Sequence, residues 1–293
     1  MRVFVSGGTG LVGSAVVAEL IGHGHTVLAL ARSDASARAV EAAGAESLRG
    51  ALADLDMLRV GATESDGVIH LAFANDFSSP DALTRAVAEE SAAIATLGEA
   101  LIGSGRPMVT VSGTPITPGR PSTEADPAST DGPVGGRGRA VVSALALASR
   151  GVRSAAVRLP RTVHNNGSGG FAGLMTNFAR RSGVAGYPGD GAQRWPAVHA
   201  LDAAVLFRIA LERAEGGTSW HAVADEGDSV RDIMSVIGRR LSLPVKSVAA
   251  ETFGPLGPIF LADQPSSGTY TQQTLGWMPT HPSLLEDLEK VQP

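Results

Sequence analysis

"RVFVSGGTGLVG", residues 2–13, decides the fold. A short apolar run is followed at once by glycines at positions 7, 8, 10 and 13, and then by an amphipathic run. Glycine weakens strands and helices alike, so its concentration here needs a reason. The spacing Gly7-x-x-Gly10-x-x-Gly13 between a strand and a helix supplies one. A tight turn needs positive φ, a ligand needs bare backbone to approach, and the helix start must pack close to the strand. Helix N–H groups then face an anion. Residues Gly7, Thr9, Gly10, Leu11, Val12 and Gly13 are therefore the expected cradle for the diphosphate of a dinucleotide.

Working outward, apolar runs alternate with helical stretches. Leu11, Val12, Val16, Val17 and Leu20 share one helical face, and Gly22 and Gly24 end that helix. Strands are expected at 25–31, 45–50, 67–73, 107–112 and 153–160, with helices at 35–43, 80–103 and 139–151. Such alternation implies right-handed crossovers and a parallel sheet. Residues 1–160 thus read as a doubly wound α/β (Rossmann) domain, and 161–293 as a smaller α/β substrate lobe with segments returning to the sheet. In the lobe, helices are expected at 170–182, 200–213, 228–241 and 283–290, and strands at 218–223 and 244–248. Residues 113–138 carry five prolines and six glycines, and are read as a mobile loop on the substrate side.

Composition excludes several classes. The 293 residues are 43% hydrophobic and 18% charged, which is globular. A formal charge of −5 argues against a broad nucleic-acid face. With no cysteine there is no disulfide, thiolate nucleophile or Cys-ligated metal. No apolar run reaches about 18 residues, so no membrane span is expected and the chain reads as cytoplasmic. No His or acid spacing suggests a metal site. The expected partner is a small-molecule substrate.

Five segments in order resemble the extended and atypical short-chain dehydrogenases/reductases. "SGGTGLVG" (6–13) is similar to their TGxxGxxG signature, and "DGVIHLAF" (66–73) to their fourth-strand element. "VTVSGT" (109–114) resembles the fifth-strand serine segment, "VRLPRTVH" (157–164) the sixth-strand segment, and "GDGAQRWPAVHALDAA" (189–204) a late motif of extended members. The resemblance implies a nicotinamide cofactor touched by Leu71, Ala72, Phe73, Ser112, Leu159, Pro160 and Val163. It also implies a homodimer paired through the helices at 80–103 and 139–151. An acid after the second strand would bind the ribose hydroxyls of NAD; here Arg32 and Ser33 stand there, which suits the extra phosphate of NADP, with NAD as the alternative. The family often carries an acid after the third strand that touches adenine; here Ala51 stands at that position, so Leu52 would offer only backbone or packing, with Asp54 a weaker candidate.

The departure from the family lies in its Tyr-x-x-x-Lys pair. Aligning "GGRGRAVVS" (135–143) puts Gly135 at the tyrosine and Arg139 at the lysine. Glycine has no proton to give, and Tyr187 and Tyr270 are distant in sequence. Thr114 matches the catalytic Ser/Thr, and His164 stands where relatives carry a second tyrosine. Thr114, Arg139 and His164 are thus the catalytic candidates. His199 reads as an orienting group, His70 as core, and His23 and His25 as helix-end residues. The leading expectation is an NADP-dependent oxidoreductase for a small carbonyl or alcohol with a non-standard proton donor. An epimerase or dehydratase using bound NAD(P) is the second. A catalytically silent NADP-sensing or partner-binding protein is the third.

Overall fold

The computed structural model describes residues 1–74, 79–132 and 135–292. Its N-terminal half runs β1 (Arg2–Ser6), α1 (Leu11–Gly22), β2 (Thr26–Ala31), α2 (Asp34–Ala42), β3 (Glu46–Arg49), α3 (Leu55–Thr63), β4 (Gly67–His70), α4 (Pro80–Leu101), β5 (Pro107–Gly113), α5 (Gly135–Ala146) and β6 (Arg153–Leu159). Then follow β7 (Thr162–His164), α6 (Gly170–Ser182), β8 (Ala185–Pro188), β9 (Arg194–His199), α7 (Ala200–Arg213), β10 (Thr218–His221) and β11 (Asp225–Ser229). The chain ends with α8 (Val230–Leu241), β12 (Val245–Val248), α9 (Gly257–Leu261), α10 (Thr269–Leu275) and α11 (Leu284–Leu288).

The central sheet has seven strands in the order β10-β6-β5-β4-β1-β2-β3. All its pairings are parallel, for example Val3 with Val27 and with Gly67. Its inner strands are buried on both faces, and successive side chains enter different cores. Val3 and Val5 join a cluster with Val16 and Leu20 of α1 and Phe207 of α7. Phe4 between them joins Leu58 of α3, Leu97 of α4 and Ala144 of α5. This double patterning is why the run at residues 2–6 reads as unbroken apolar rather than alternating.

The lobe does not stay apart. β10 adds the seventh strand, and α7 lies on α1, tied by Arg208 to Glu19 at 2.8 Å and by His25 to Glu212 at 3.0 Å. His25 therefore links two helices, while His23 caps α1, its Nδ1 2.9 Å from Glu19 O. The remaining lobe builds a core of its own around Met175, Trp195, Ile233, Phe260 and Leu284. Two small sheets, β11-β9-β7 and β12-β8, frame it.

Some elements escape the sequence reading. Pro196 argues against a strand, yet β9 is the middle strand of its sheet. α3 has no counterpart in the expected list; Asp54, weighed for adenine, is its N-cap and accepts from Met57 N at 3.3 Å. The loop after β5 is not loose, as its composition predicts, but tied along its length. Ser122 N–H reaches Pro265 O at 2.9 Å, Ser267 N–H reaches Ser122 O at 2.8 Å, and the Ser122 and Ser266 hydroxyls meet at 2.8 Å. Arg158 donates to Asp126 O at 2.8 Å, and Thr271 N–H to Glu124 Oε1 at 3.1 Å. Residues 133–134 of this loop lie outside the described residues. Among the described residues no helix is long and apolar enough to cross a membrane.

Candidate functional site

The parallel register gathers the carboxyl ends of β1 to β6 along one sheet edge. At β1 the chain turns through Gly7, whose φ of 81° is one that L side chains rarely adopt. Its Cα also lies against the Leu71–Ala72 backbone, since an added Cβ would fall 2.8 Å from Ala72 N. Gly13 seats α1 on this turn; a Cβ there would lie 1.9 Å from Gly7 O. Gly10 differs, because its Cβ would meet only Gly7 O, at 3.5 Å. Gly10 caps α1 without a side chain, and the first turn holds no acid. The first bonded N–H is that of Ser14, to Gly10 O at 2.9 Å, so those of Leu11, Val12 and Gly13 have no partner among the described residues. Three free N–H groups at a helix start, beside exposed Thr9 and Gly10, fit a diphosphate.

At the end of β2, Arg32 is exposed and has no ion pair or hydrogen bond among the described residues. Ser33 caps α2 in a reciprocal box with Ser36, so its hydroxyl is engaged at 3.2 Å with Ser36 N. Leu52 is half-buried after β3. After β4, Leu71 N–H binds Ser6 O at 3.1 Å, and Leu71, Ala72 and Phe73 are all half-buried. Phe73 lies under the Arg137 guanidinium, 3.9 Å from its ring centre. Arg137 grips the buried Glu90 with Nε and Nη2, at 2.6 and 2.8 Å.

At the ends of β5 and β6, Ser112 is half-buried, and its hydroxyl has no partner among the described residues. Thr114 is buried; its N–H reaches Leu159 O at 3.0 Å, and its hydroxyl accepts from Gln264 Nε2 at 3.3 Å. The α5 face where the tyrosine would stand is closed by the chain itself. A Cβ on Gly135 would lie 2.2 Å from Thr130 O, and one on Gly138 2.0 Å from Ser129 O. Arg139 is exposed and donates to that same Thr130 carbonyl. Pro160 is buried, and Val163 O lies close beneath Gly169, whose Cβ would also touch Leu11.

A model of the NAD dependent epimerase/dehydratase family matches residues 3–223. The chain belongs to that family. It is an NAD(P)-dependent enzyme of the extended or atypical short-chain dehydrogenase/reductase type. An uncharacterized protein of Schizosaccharomyces pombe is 41% identical, over 98% of each chain. Among solved structures, the UDP-glucose 4-epimerase of Thermotoga maritima with UDP-glucose superposes with a TM-score of 0.80 at 19% identity, covering 99% of this chain and 97% of the other. The Thermus thermophilus UDP-glucose 4-epimerase complex with NAD gives 0.74 at 20% identity, covering 99% and 97%. At these identities the two structures speak for the fold.

His164 is engaged in a buried cluster with Asp287 and His199. It is 1% exposed, its Nδ1 lies 3.0 Å from Asp287, and its ring meets His199 edge-on at 5.3 Å. His199 caps α7 and stacks on His281 at 4.8 Å. Burial, then the two neighbouring imidazoles, lowers the His199 pKa. Burial pushes Asp287 upward, but bonds from Gly167 N–H, Lys290 and His164 outweigh it and hold the carboxyl at about 2. This cluster clamps α11 to β7. Sequence reasoning also missed Arg137, Gln264 and Arg161. Their roles depend on partners 47 to 150 residues away, which no local spacing announces.

Proposed function

We propose that this enzyme is an NADP-preferring oxidoreductase for a small carbonyl or alcohol. The observation that carries the reading is the pair of open groups on one sheet edge: the uncapped α1 start beside Gly10, and the unpaired Arg32 at the end of β2. The helix start suits the diphosphate, and Arg32 the 2′-phosphate. Leu52, Leu71, Ala72, Phe73, Leu159, Pro160 and Val163 would line the rest of the nucleotide. When bound, the nicotinamide supplies hydride transfer. The chain's own task is to place the substrate oxygen and supply its proton.

Thr114 is the proposed polarising group. Because Gln264 Nε2 donates to its oxygen, the hydroxyl proton is directed elsewhere, toward a substrate oxygen. Ser112 is the second hydroxyl at this strand end. Neither ionises near neutral pH, so the proton must be replenished from solvent. Arg139 keeps the α5 face closed through its bond to Thr130 O.

Fluorescence titration tests the nucleotide half directly. NADPH should bind at least about tenfold tighter than NADH, and Arg32→Asp should reverse that order. Equal affinities in the wild type would remove the NADP preference. Thr114→Val should leave NADPH affinity within about twofold and lower kcat on a carbonyl panel about a hundredfold. An unchanged kcat would take Thr114 out of the reaction. The epimerase reading suits the same nucleotide half, but a glycine at the tyrosine position weighs against it.

A further inference from the structure

Arg161 is the third unassigned feature of the sheet edge, two residues beyond the end of β6. Its guanidinium is packed among aromatic rings, 5.2 Å from the centre of Phe171 and 5.8 Å from that of Trp195. Nη1 donates to Ile259 O at 2.9 Å. Nε is buried and has no partner, and Nη2 has none among the described residues. Among the described residues no carboxylate forms an ion pair with it, and burial alone lowers its pKa to about 10. The contrast with other arginines of this protein is direct. Arg137 turns the same Nε/Nη2 edge onto Glu90, and Arg194 turns it onto Asp263 at 3.1 and 2.8 Å. Arg158, also poor in direct partners, has Glu124 and Asp126 nearby. Arg158 likewise leaves its Nε unpartnered, so what sets Arg161 apart among these four is that no carboxylate acts on its charge.

A desolvated cation without a counter-ion is costly unless something binds there. Arg161 is also well placed. β5 and β6 end side by side, with Gly113 in register with Leu159 and Thr114 N–H bonded to Leu159 O. Arg161 therefore follows, by two residues, the strand end that is bonded to the residue with the proposed polarising hydroxyl. We infer that Arg161 is the anion-binding residue of the substrate site, and that the substrate bears a carboxylate which its Nε/Nη2 edge receives. A carboxylate matches the fork in geometry and the single cation in charge. A phosphate dianion would need a second base, and among the described residues no other basic side chain is bonded to Arg161. The flat walls of Phe171 and Trp195 favour a planar, partly apolar acid. That the acid is then reduced or oxidised rests on the oxidoreductase reading; the anion site itself does not.

The test is calorimetry on the chain without nucleotide, using acetate, benzoate, inorganic phosphate and neutral benzyl alcohol. Wild type, Arg161→Met and Arg161→Lys are compared. Benzoate should bind with Kd on the order of 1 mM, and the Met variant should weaken it about tenfold or more. The Lys variant should lose most of that gain, since an ammonium cannot form two parallel bonds. Benzoate should raise Tm in the wild type and not in the Met variant, while phosphate and benzyl alcohol bind all three alike. The inference falls if neither carboxylate binds, if both variants bind benzoate as the wild type does, or if the substitutions cost phosphate more than benzoate. Should the Met variant not fold, the Lys variant carries the comparison. NADPH titration runs alongside. Lost nucleotide binding with benzoate binding intact would sink the oxidoreductase reading alone, and the reverse result would sink only this inference.

Discussion

At Gly10 an added Cβ would meet only Gly7 O, at 3.5 Å; at Gly138 it would lie 2.0 Å from Ser129 O. Both glycines belong to a cluster at a helix start on the same sheet edge. The first cluster, Gly7, Gly10 and Gly13, folds onto itself so tightly that only Gly10 faces open space. The second, Gly135, Gly136 and Gly138, is covered by Thr130, Val87 and Ser129. Missing side chains thus serve two ends. In one cluster room stays open beside Gly10, where the proposed diphosphate would sit, and in the other it is taken by the protein's own backbone. The tyrosine of the family is not merely absent, because the loop after β5 now lies where its Cβ would begin.

The largest effect should come from breaking the first cluster. Alanine is favoured over glycine in a helix by about 1 kcal/mol, but a Cβ 1.9 Å from a carbonyl oxygen must displace the turn. Gly13→Ala should therefore lose NADPH binding outright and destabilise the chain by about 3 kcal/mol in urea denaturation. Gly10→Ala should fold normally and still lose about a hundredfold in NADPH affinity. A Gly10→Ala variant that binds as wild type would show that the open space is not the nucleotide's.

The first cluster was legible in sequence because its logic is local. A strand, a turn and a helix start lie within residues 2–13, and each glycine's reason follows from that order. The parallel sheet was legible for the same cause, since each apolar run is short and bounded. The second cluster was not. Spacing placed Gly135 and Arg139 opposite the family's tyrosine and lysine, but the cover over them arrives from Ser129 and Thr130. That loop is fastened in turn by Pro265, Ser266 and Thr271. Proline and glycine content marks a loop as irregular and says nothing of what it is tied to. His164 illustrates the same limit. Its position matched a functional tyrosine, yet its partner is Asp287, 123 residues on.

Breaking the second cluster should have a smaller and different effect. Gly138→Ala gains the same helix propensity, about 1 kcal/mol, but must lift Ser129 and strain the bonds that hold the loop. A net loss of about 1–2 kcal/mol is expected, with NADPH affinity unchanged within about twofold. Thermal unfolding and nucleotide titration read the two arms separately. A variant as stable as wild type would mean that the loop moves aside without cost, and the two clusters would then differ less than the distances imply.

The smallest effect at neutral pH concerns the residue between the clusters. His70, at the end of β4, has Nδ1 2.8 Å from the hydroxyl of Ser6, which precedes Gly7, and it feels the charge of Arg137, which precedes Gly138. Burial first, and Arg137 second, lower its pKa from 6.5 to about 4. Its Nε2 has no partner among the described residues, so nothing there rewards a second proton. The unfolded imidazole gains its proton near 6.5 and the folded one only near 4, so between these values the unfolded chain binds more protons. The His70 contribution is complete above pH 6.5 and is lost as pH falls toward 4, on the order of 3 kcal/mol in all. His70→Asn keeps a polar atom within reach of Ser6 but cannot titrate. At pH 7.5 the variant should be weaker by about 1 kcal/mol, the cost of a less well-filled site. Toward pH 4.5 its denaturation midpoint should meet and then pass that of the wild type. Parallel curves across this range would mean that His70 accepts its proton in place, and that the strand between the clusters tolerates a charge its burial forbids.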